Sequence, residues 1–164
     1  MKITDHFVFF YGKEDVFSNW FPCKFKIEDY VFQNSEQAMM FAKAQFFDDP
    51  RLAYQILDTP DPRLAKALGR KVHNFDEAVW TQVSLELVAD ILYYKFKSTQ
   101  ELTDIILATE DRTLVEASPT DCIWGIGLSI RNPDIMNILK WQGTNRLGKA
   151  LMLARNRIQE ELEY

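Results

Sequence analysis

Glu36 and Lys43 stand seven residues apart in the stretch Asn34-Ser35-Glu36-Gln37-Ala38-Met39-Met40-Phe41-Ala42-Lys43-Ala44, which opens with cap-type residues. At ~3.6 residues per turn that spacing is about two helical turns, so a carboxylate and an ammonium share one face roughly 10 Å apart along the axis. One bound ligand can span both. A solvated Glu and Lys on an otherwise buried helix is the plainer reading of the spacing alone. A second group, Asp121-Cys122-Ile123-Trp124-Gly125-Ile126-Gly127, puts a carboxylate, an indole and two glycines on a predicted loop. Glycine permits close backbone approach, Trp124 offers a stacking face, and Asp121 suits ribose hydroxyls or positive charge at an anomeric carbon. A tight turn with a core Trp fits the same residues, and two glycines without a third are no dinucleotide fingerprint.

A third group, Trp141-Gln142-Gly143-Thr144-Asn145-Arg146-Leu147-Gly148-Lys149, crowds polar and basic residues at the predicted start of the last helix. Free N–H groups there, with Arg146 or Lys149, would complement a phosphate, although a capped helix with a solvated basic face has the same composition. Phe17-Ser18-Asn19-Trp20-Phe21 mixes turn formers with aromatics and is suited to framing a flat heterocycle or to anchoring a loop. His6 and His73 lie outside these groups and no Ser or Cys has a nucleophile context, so both are expected to be structural. Carboxylates, one lysine, tryptophans and an anion-binding helix start favour glycosidic chemistry over acyl transfer or redox. That chemistry calls for no metal and no cofactor.

The elements that must position these residues are set by an ordinary globular composition: 164 residues, 47% hydrophobic, 26% charged and 13% aromatic. The net charge of −5 disfavours holding duplex nucleic acid by counterion release. No membrane-spanning apolar run and no leader pattern is visible from Met1 to Phe10, so a cytoplasmic chain is expected. Cys23 and Cys122, far apart and without ligand spacing, are expected to be reduced thiols. Asp49-Pro50, Asp61-Pro62 and Asn132-Pro133 each predict a helix start, with Gly69 closing the second in the left-handed conformation. Trp80, Val83, Leu87, Ile91 and Tyr94 mark a long helix capped by Asn74 and Glu77. Ser98 with Glu101 predicts another, and Leu147, Leu151, Ala154 and Ile158 a last one whose acidic end frays. Strands are expected over residues 7–11, 23–27 and 113–116. The predicted fold class is mainly α (α+β): one domain over 1–164, several helices and a few short strands.

In this order, Phe17-Ser18-Asn19, Ser35-Glu36-Gln37 with Lys43-Ala44, Gly69-Arg70, Trp80, Glu116-Ala117-Ser118-Pro119, Asp121 with Trp124-Gly125-Ile126-Gly127, and Gly143-Thr144-Asn145-Arg146-Leu147-Gly148 resemble the NADAR family, also called YbiA-like. The match runs from about Phe7 to Ile158. Lys95-Phe96-Lys97-Ser98-Thr99 departs from the Lys-Phe-x-Gln-Asn of many members. The resemblance implies an N-glycosidase whose substrates are phosphoribosyl-pyrimidine intermediates of riboflavin synthesis or ADP-ribose on guanine, free or in nucleic acid. It implies Glu36, Lys43 and Asp121 as catalytic residues, and Asn19, Trp80, Trp124, Gly125, Asn145 and Arg146 as substrate-binding ones. One carboxylate would stabilise an oxocarbenium-like carbon while the other moves a proton, and water or Lys43 would attack. The rival expectation is a non-catalytic module that binds ADP-ribose or a related nucleotide.

Overall fold

The computed structural model describes residues 1–163. In chain order its elements are β1 (Lys2–Ile3), β2 (Phe7–Phe10), β3 (Phe25–Ile27), β4 (Tyr30–Phe32), α1 (Ser35–Phe46), α2 (Pro50–Leu57), α3 (Pro62–Gly69), α4 (Glu77–Lys97), α5 (Gln100–Leu107), β5 (Thr113–Glu116) and α6 (Arg146–Leu162). The expected α+β class is what is found. A short 3-10 turn, Ile138–Lys140, precedes α6.

All four residues of Phe7–Phe10 are buried because β2 is the middle strand of a sheet ordered β1-β2-β5, covered on both faces. Val8, Phe10 and Leu114 face the main core, which the helices fill. Phe7, Phe9, Val115 and Ala117 face a second cluster built from Ile126, Leu128 and Ile135. β2 and β5 run parallel with Phe10 opposite Glu116, so the chain between them is one long crossover. That register matters for function: it sets Glu116 beside the loop that leaves β2. β3 and β4 form a separate antiparallel hairpin, in which Phe25 and Phe32 pair across the strands.

Asp49 and Asp61 cap α2 and α3 with proline at the first turn, as the Asp-Pro pairs predict. Asn132-Pro133 opens no helix; Asn132 Oδ1 accepts the Asp134 N–H at 2.8 Å and the chain turns instead. Gly69 is not left-handed but the last helical residue of α3, and its role is contact: a Cβ there would strike the Met40 side chain of α1. Asp76, not Asn74, caps α4, and Thr99, not Ser98, caps α5, each one or two residues from the expected boundary. The α6 stripe of Leu147, Leu151, Ala154 and Ile158 is buried as its period requires. Its acidic end is tied rather than frayed, since Glu161 accepts from Tyr93 Oη at 2.7 Å and pairs with Lys97. Tyr164 lies outside the described residues.

Candidate active site

α1 is buried on nearly every side, so its polar residues must each find a partner. Asn34 Oδ1 accepts the Gln37 N–H at 2.8 Å, and Gln37 in turn accepts from Gln33 N and donates to the carbonyls of Ile56 and Leu57. Asn34 and Gln37 therefore fasten α1 to the end of α2. Glu36 is left facing a cavity of about 230 Å³ together with Met39, Met40 and Lys43, one stripe at helical spacing. The expected sharing of a face by Glu36 and Lys43 is realised.

Five other parts of the chain complete the wall. Asn19 and Trp20 come from the loop after β2, Lys66 and Arg70 from α3 and its cap, Trp80 from the first turn of α4, and Glu116 from the end of β5. Asp121 and Trp124 come from the loop that follows β5. Asp121 Oδ1 accepts the N–H groups of Ile123 and Trp124 at 2.9 and 2.8 Å, which fixes the carboxylate and the indole relative to one another.

The loop carrying Asn19 and Trp20 is held by Lys95, which is fully buried on α4. Its Nζ donates to the carbonyls of Val16 at 2.6 Å and Ser18 at 3.1 Å. Asn19 O then accepts the Glu36 N–H at 2.9 Å, so one lysine registers the loop against the start of α1. Asn19, a residue of the cavity wall, is buried and its Oδ1 has no hydrogen-bond partner, at a cost of about 1–3 kcal/mol.

Burial pushes Glu36 up to about 7, with Lys66 pulling it down, Asp121 pushing it up and Lys43 pulling it down. Glu116 is pushed up to about 8, again first by removal from water and then by Asp121 and Glu36. Glu36 and Glu116, buried beside one another and beside Asp121, thus hold their protons well above the ordinary carboxyl range. Burial lowers Lys43, which Glu36 partly offsets and Arg70 reinforces. Its Nζ donates to Gly69 O at 2.9 Å and lies 4.3 Å from the centroid of Phe75.

Of the expected site residues, Glu36, Lys43, Asp121, Asn19, Trp80 and Trp124 line the cavity. Gly125, Asn145 and Arg146 are not among the lining residues. Gly125 is packed against the carbonyls of Asp121 and Glu116, where a Cβ would clash. Asn145, in the left-handed region, bridges Glu116 N and Leu114 O, extending the hydrogen bonding of β5. Arg146 donates to Thr81 O and Ser84 Oγ at 2.9 and 2.8 Å and lies 5.3 Å from the Trp124 ring, supporting that indole from behind. Nor is the start of α6 open to an anion, because the N–H groups of residues 144–147 donate to the carbonyls of 122–125. Trp20, Lys66, Arg70 and Glu116 line the cavity without having been singled out as site residues. A helical spacing of four links Lys66 to Arg70, but the same spacing describes any solvated face.

Fold and site together define a small α+β protein built around a tryptophan-walled cavity lined by three carboxylates and three cations. The NADAR domain model matches residues 9–159, and the chain belongs to the NADAR family. It is 36% identical to an N-glycosidase of Acanthamoeba polyphaga mimivirus, over 96% of this chain and 99% of that protein. It is 28% identical to a riboflavin biosynthesis protein of Vibrio vulnificus, over 99% of this chain but 41% of that protein. The solution structure of the Escherichia coli protein YbiA is similar with a TM-score of 0.78 and 28% identity, covering 99% of this chain and 91% of that one. No described helix is long and apolar enough to cross a membrane.

Proposed function

We propose that this chain is an N-glycosidase that hydrolyses the bond between a base nitrogen and the anomeric carbon of phosphorylated ribosyl compounds. Its first substrates would be phosphoribosylaminopyrimidine intermediates of riboflavin synthesis, and the second class is ADP-ribosylated guanine. The observation that carries this reading is the meeting of Glu36, Glu116 and Asp121 with Lys43, Trp80 and Trp124 around one cavity. The names of the mimivirus and Vibrio relatives support it.

Breaking the C–N bond develops positive charge on the sugar and negative charge on the departing nitrogen. Glu116, pushed up to about 8, retains a proton at neutral pH and donates it to that nitrogen. Asp121, anchored through Oδ1 to two backbone N–H groups, holds its charge toward the cationic carbon. Glu36, at about 7, takes a proton from water as the water oxygen bonds to the anomeric carbon. Trp80 and Trp124 stack on the substrate and limit competing water.

The lowered pKa of Lys43 favours a second route for substrates attached through an exocyclic amine. There the ring opens to an iminium at the anomeric carbon. Lys43 Nζ adds to that carbon, the base amine leaves with a proton, and water hydrolyses the lysine imine to the aldehyde. Borohydride reduction during turnover, followed by peptide mass spectrometry, separates the routes: a sugar adduct on Lys43 requires the imine.

The direct test incubates the protein with each substrate class and measures liberated base by mass spectrometry. Release from at least one class is expected, with Glu36→Gln and Glu116→Gln each about 10²- to 10⁴-fold slower. If the unaltered chain releases base from neither while binding both, it is a non-catalytic nucleotide-binding module.

A further inference from the structure

The cavity wall carries charges of both signs: Glu36, Glu116 and Asp121 on one hand, and Lys43 with Lys66 and Arg70, the last two one turn apart on α3 and its cap, on the other. Arg70 is close enough to depress Lys43, and Lys66 is the strongest charge acting on Glu36. Despite this, among the described residues neither Lys66 nor Arg70 joins an ion pair or donates a side-chain hydrogen bond, whereas Lys97, Arg112, Lys140 and Arg157 all pair with carboxylates. Two cations aimed at a cavity and left unpaired beside three carboxylates stand off from them by more than ion-pair distance. Asn19, in the same wall, is buried with its Oδ1 unpartnered.

The position of the pair is built in. Gly69 lets α3 press against Met40, which brings Gly69 O within reach of Lys43 and sets Lys66 and Arg70 over the cavity. Past Trp20 the cavity continues into a recess of about 440 Å³ that shares Lys66, Glu116 and Asp121 and is walled by Tyr11 and Lys13. Lys66 therefore stands at the junction of two compartments, with Arg70 in the inner one.

We propose that Lys66 and Arg70 form the phosphate clamp of this site, holding a sugar phosphate against α3 so that the anomeric carbon faces the three carboxylates. The inference rests on the N-glycosidase reading and assigns the anion to α3, not to the start of α6. Arg70 supplies a planar, bidentate donor set, and Lys66 a point charge that neutralises the phosphate while moderating the carboxylates. Anion binding then has a side effect on the acids: with the charge of Lys66 shared with phosphate, its downward pull on Glu36 and Glu116 weakens.

Calorimetric titration of the full chain with ribose 5-phosphate and with ribose tests the clamp without needing turnover. The phosphate ester is expected to bind at least about 10-fold more tightly, and Lys66→Gln or Arg70→Gln to erase most of that advantage while leaving ribose unchanged. Arg70→Lys keeps part of it, and Arg146→Gln keeps all of it. Both mutated side chains are partly or fully exposed, so folding is unaffected, which circular dichroism checks. The clamp is overturned if the Lys66→Gln/Arg70→Gln double variant still prefers the phosphate ester, or if the unaltered chain binds both sugars equally. Base release by a double variant that still prefers phosphorylated substrate removes the clamp and leaves the hydrolase. Clamp-dependent binding without base release removes the hydrolase and leaves the clamp.

Discussion

At the scale of single residues the chemistry depends on three acids with different surroundings. Asp121 is tied to the backbone, Glu36 is the most enclosed, and Glu116 is pushed furthest upward. Activity should therefore rise as Glu36 loses its proton near 7 and fall as Glu116 loses its own near 8, giving a narrow bell in kcat/KM. Glu36→Gln should abolish the acid limb of whatever activity remains; a variant that keeps the full bell would remove Glu36 from the proton chemistry. Glu36, Lys43, Asp121 and Trp124 were legible because helix period and loop composition expose them without knowledge of the fold. Glu116 was not, since a Glu ending the strand Thr-Leu-Val-Glu looks like any polar strand terminus until parallel pairing turns it into the cavity. Asn145 and Arg146 look like ligand-binding residues in sequence, yet outside the cavity Asn145 bonds the backbone of β5 and Arg146 donates to Thr81 O and Ser84 Oγ of α4.

At the scale of elements, two contacts hold the walls in place. Lys95→Met leaves the carbonyls of Val16 and Ser18 without their donor, at a cost of about 1–3 kcal/mol each if they stay dry. The variant is expected to melt earlier and to raise KM more than it lowers kcat, because Asn19 and Trp20 lose their register while the acids stay; an unchanged KM would show that the loop holds itself. Gly69→Ala forces either α3 outward or Met40 into the cavity. A loss of about 1–3 kcal/mol in unfolding free energy, accompanied by lower activity, is expected from such overpacking, and urea denaturation with parallel assays measures both. Helix starts at Asp-Pro and the α6 stripe were readable because caps and periods are local signals. β1 and β4, two and three residues long, carry too little pattern to read, and the packing role of Gly69 depends on a helix distant in sequence.

At the scale of the whole molecule, the buried charges shape stability across pH. Glu36 and Glu116 hold protons at about 7 and 8 when folded, against an ordinary carboxyl value of 4.5, so the folded chain binds more protons in that interval. Stability should fall as pH rises through it. Lys95 has the opposite sign: folded, it titrates at about 7 instead of 10.5, the unfolded chain binds more protons above 7, and stability rises with pH there. Melting curves between about pH 5 and about pH 10 should show a decline and then a recovery, with Glu36→Gln flattening the first limb and Lys95→Met the second. A profile that only falls would contradict the Lys95 assignment, and one that only rises would contradict those of Glu36 and Glu116.

The parallel pairing of β2 with β5 has a consequence for how the protein comes into being. One side of the cavity is anchored just after β2 and the other at and just after β5, so the lining is complete only in a piece of chain that runs past Trp124. During synthesis the early helices can form and pack, but Glu116, Asp121 and Trp124 join them only once the closing strand has emerged and found its partner. The site is therefore incomplete until Trp124 has been made, and a product cut short before β5 carries Glu36 and Lys43 without Glu116 and Asp121.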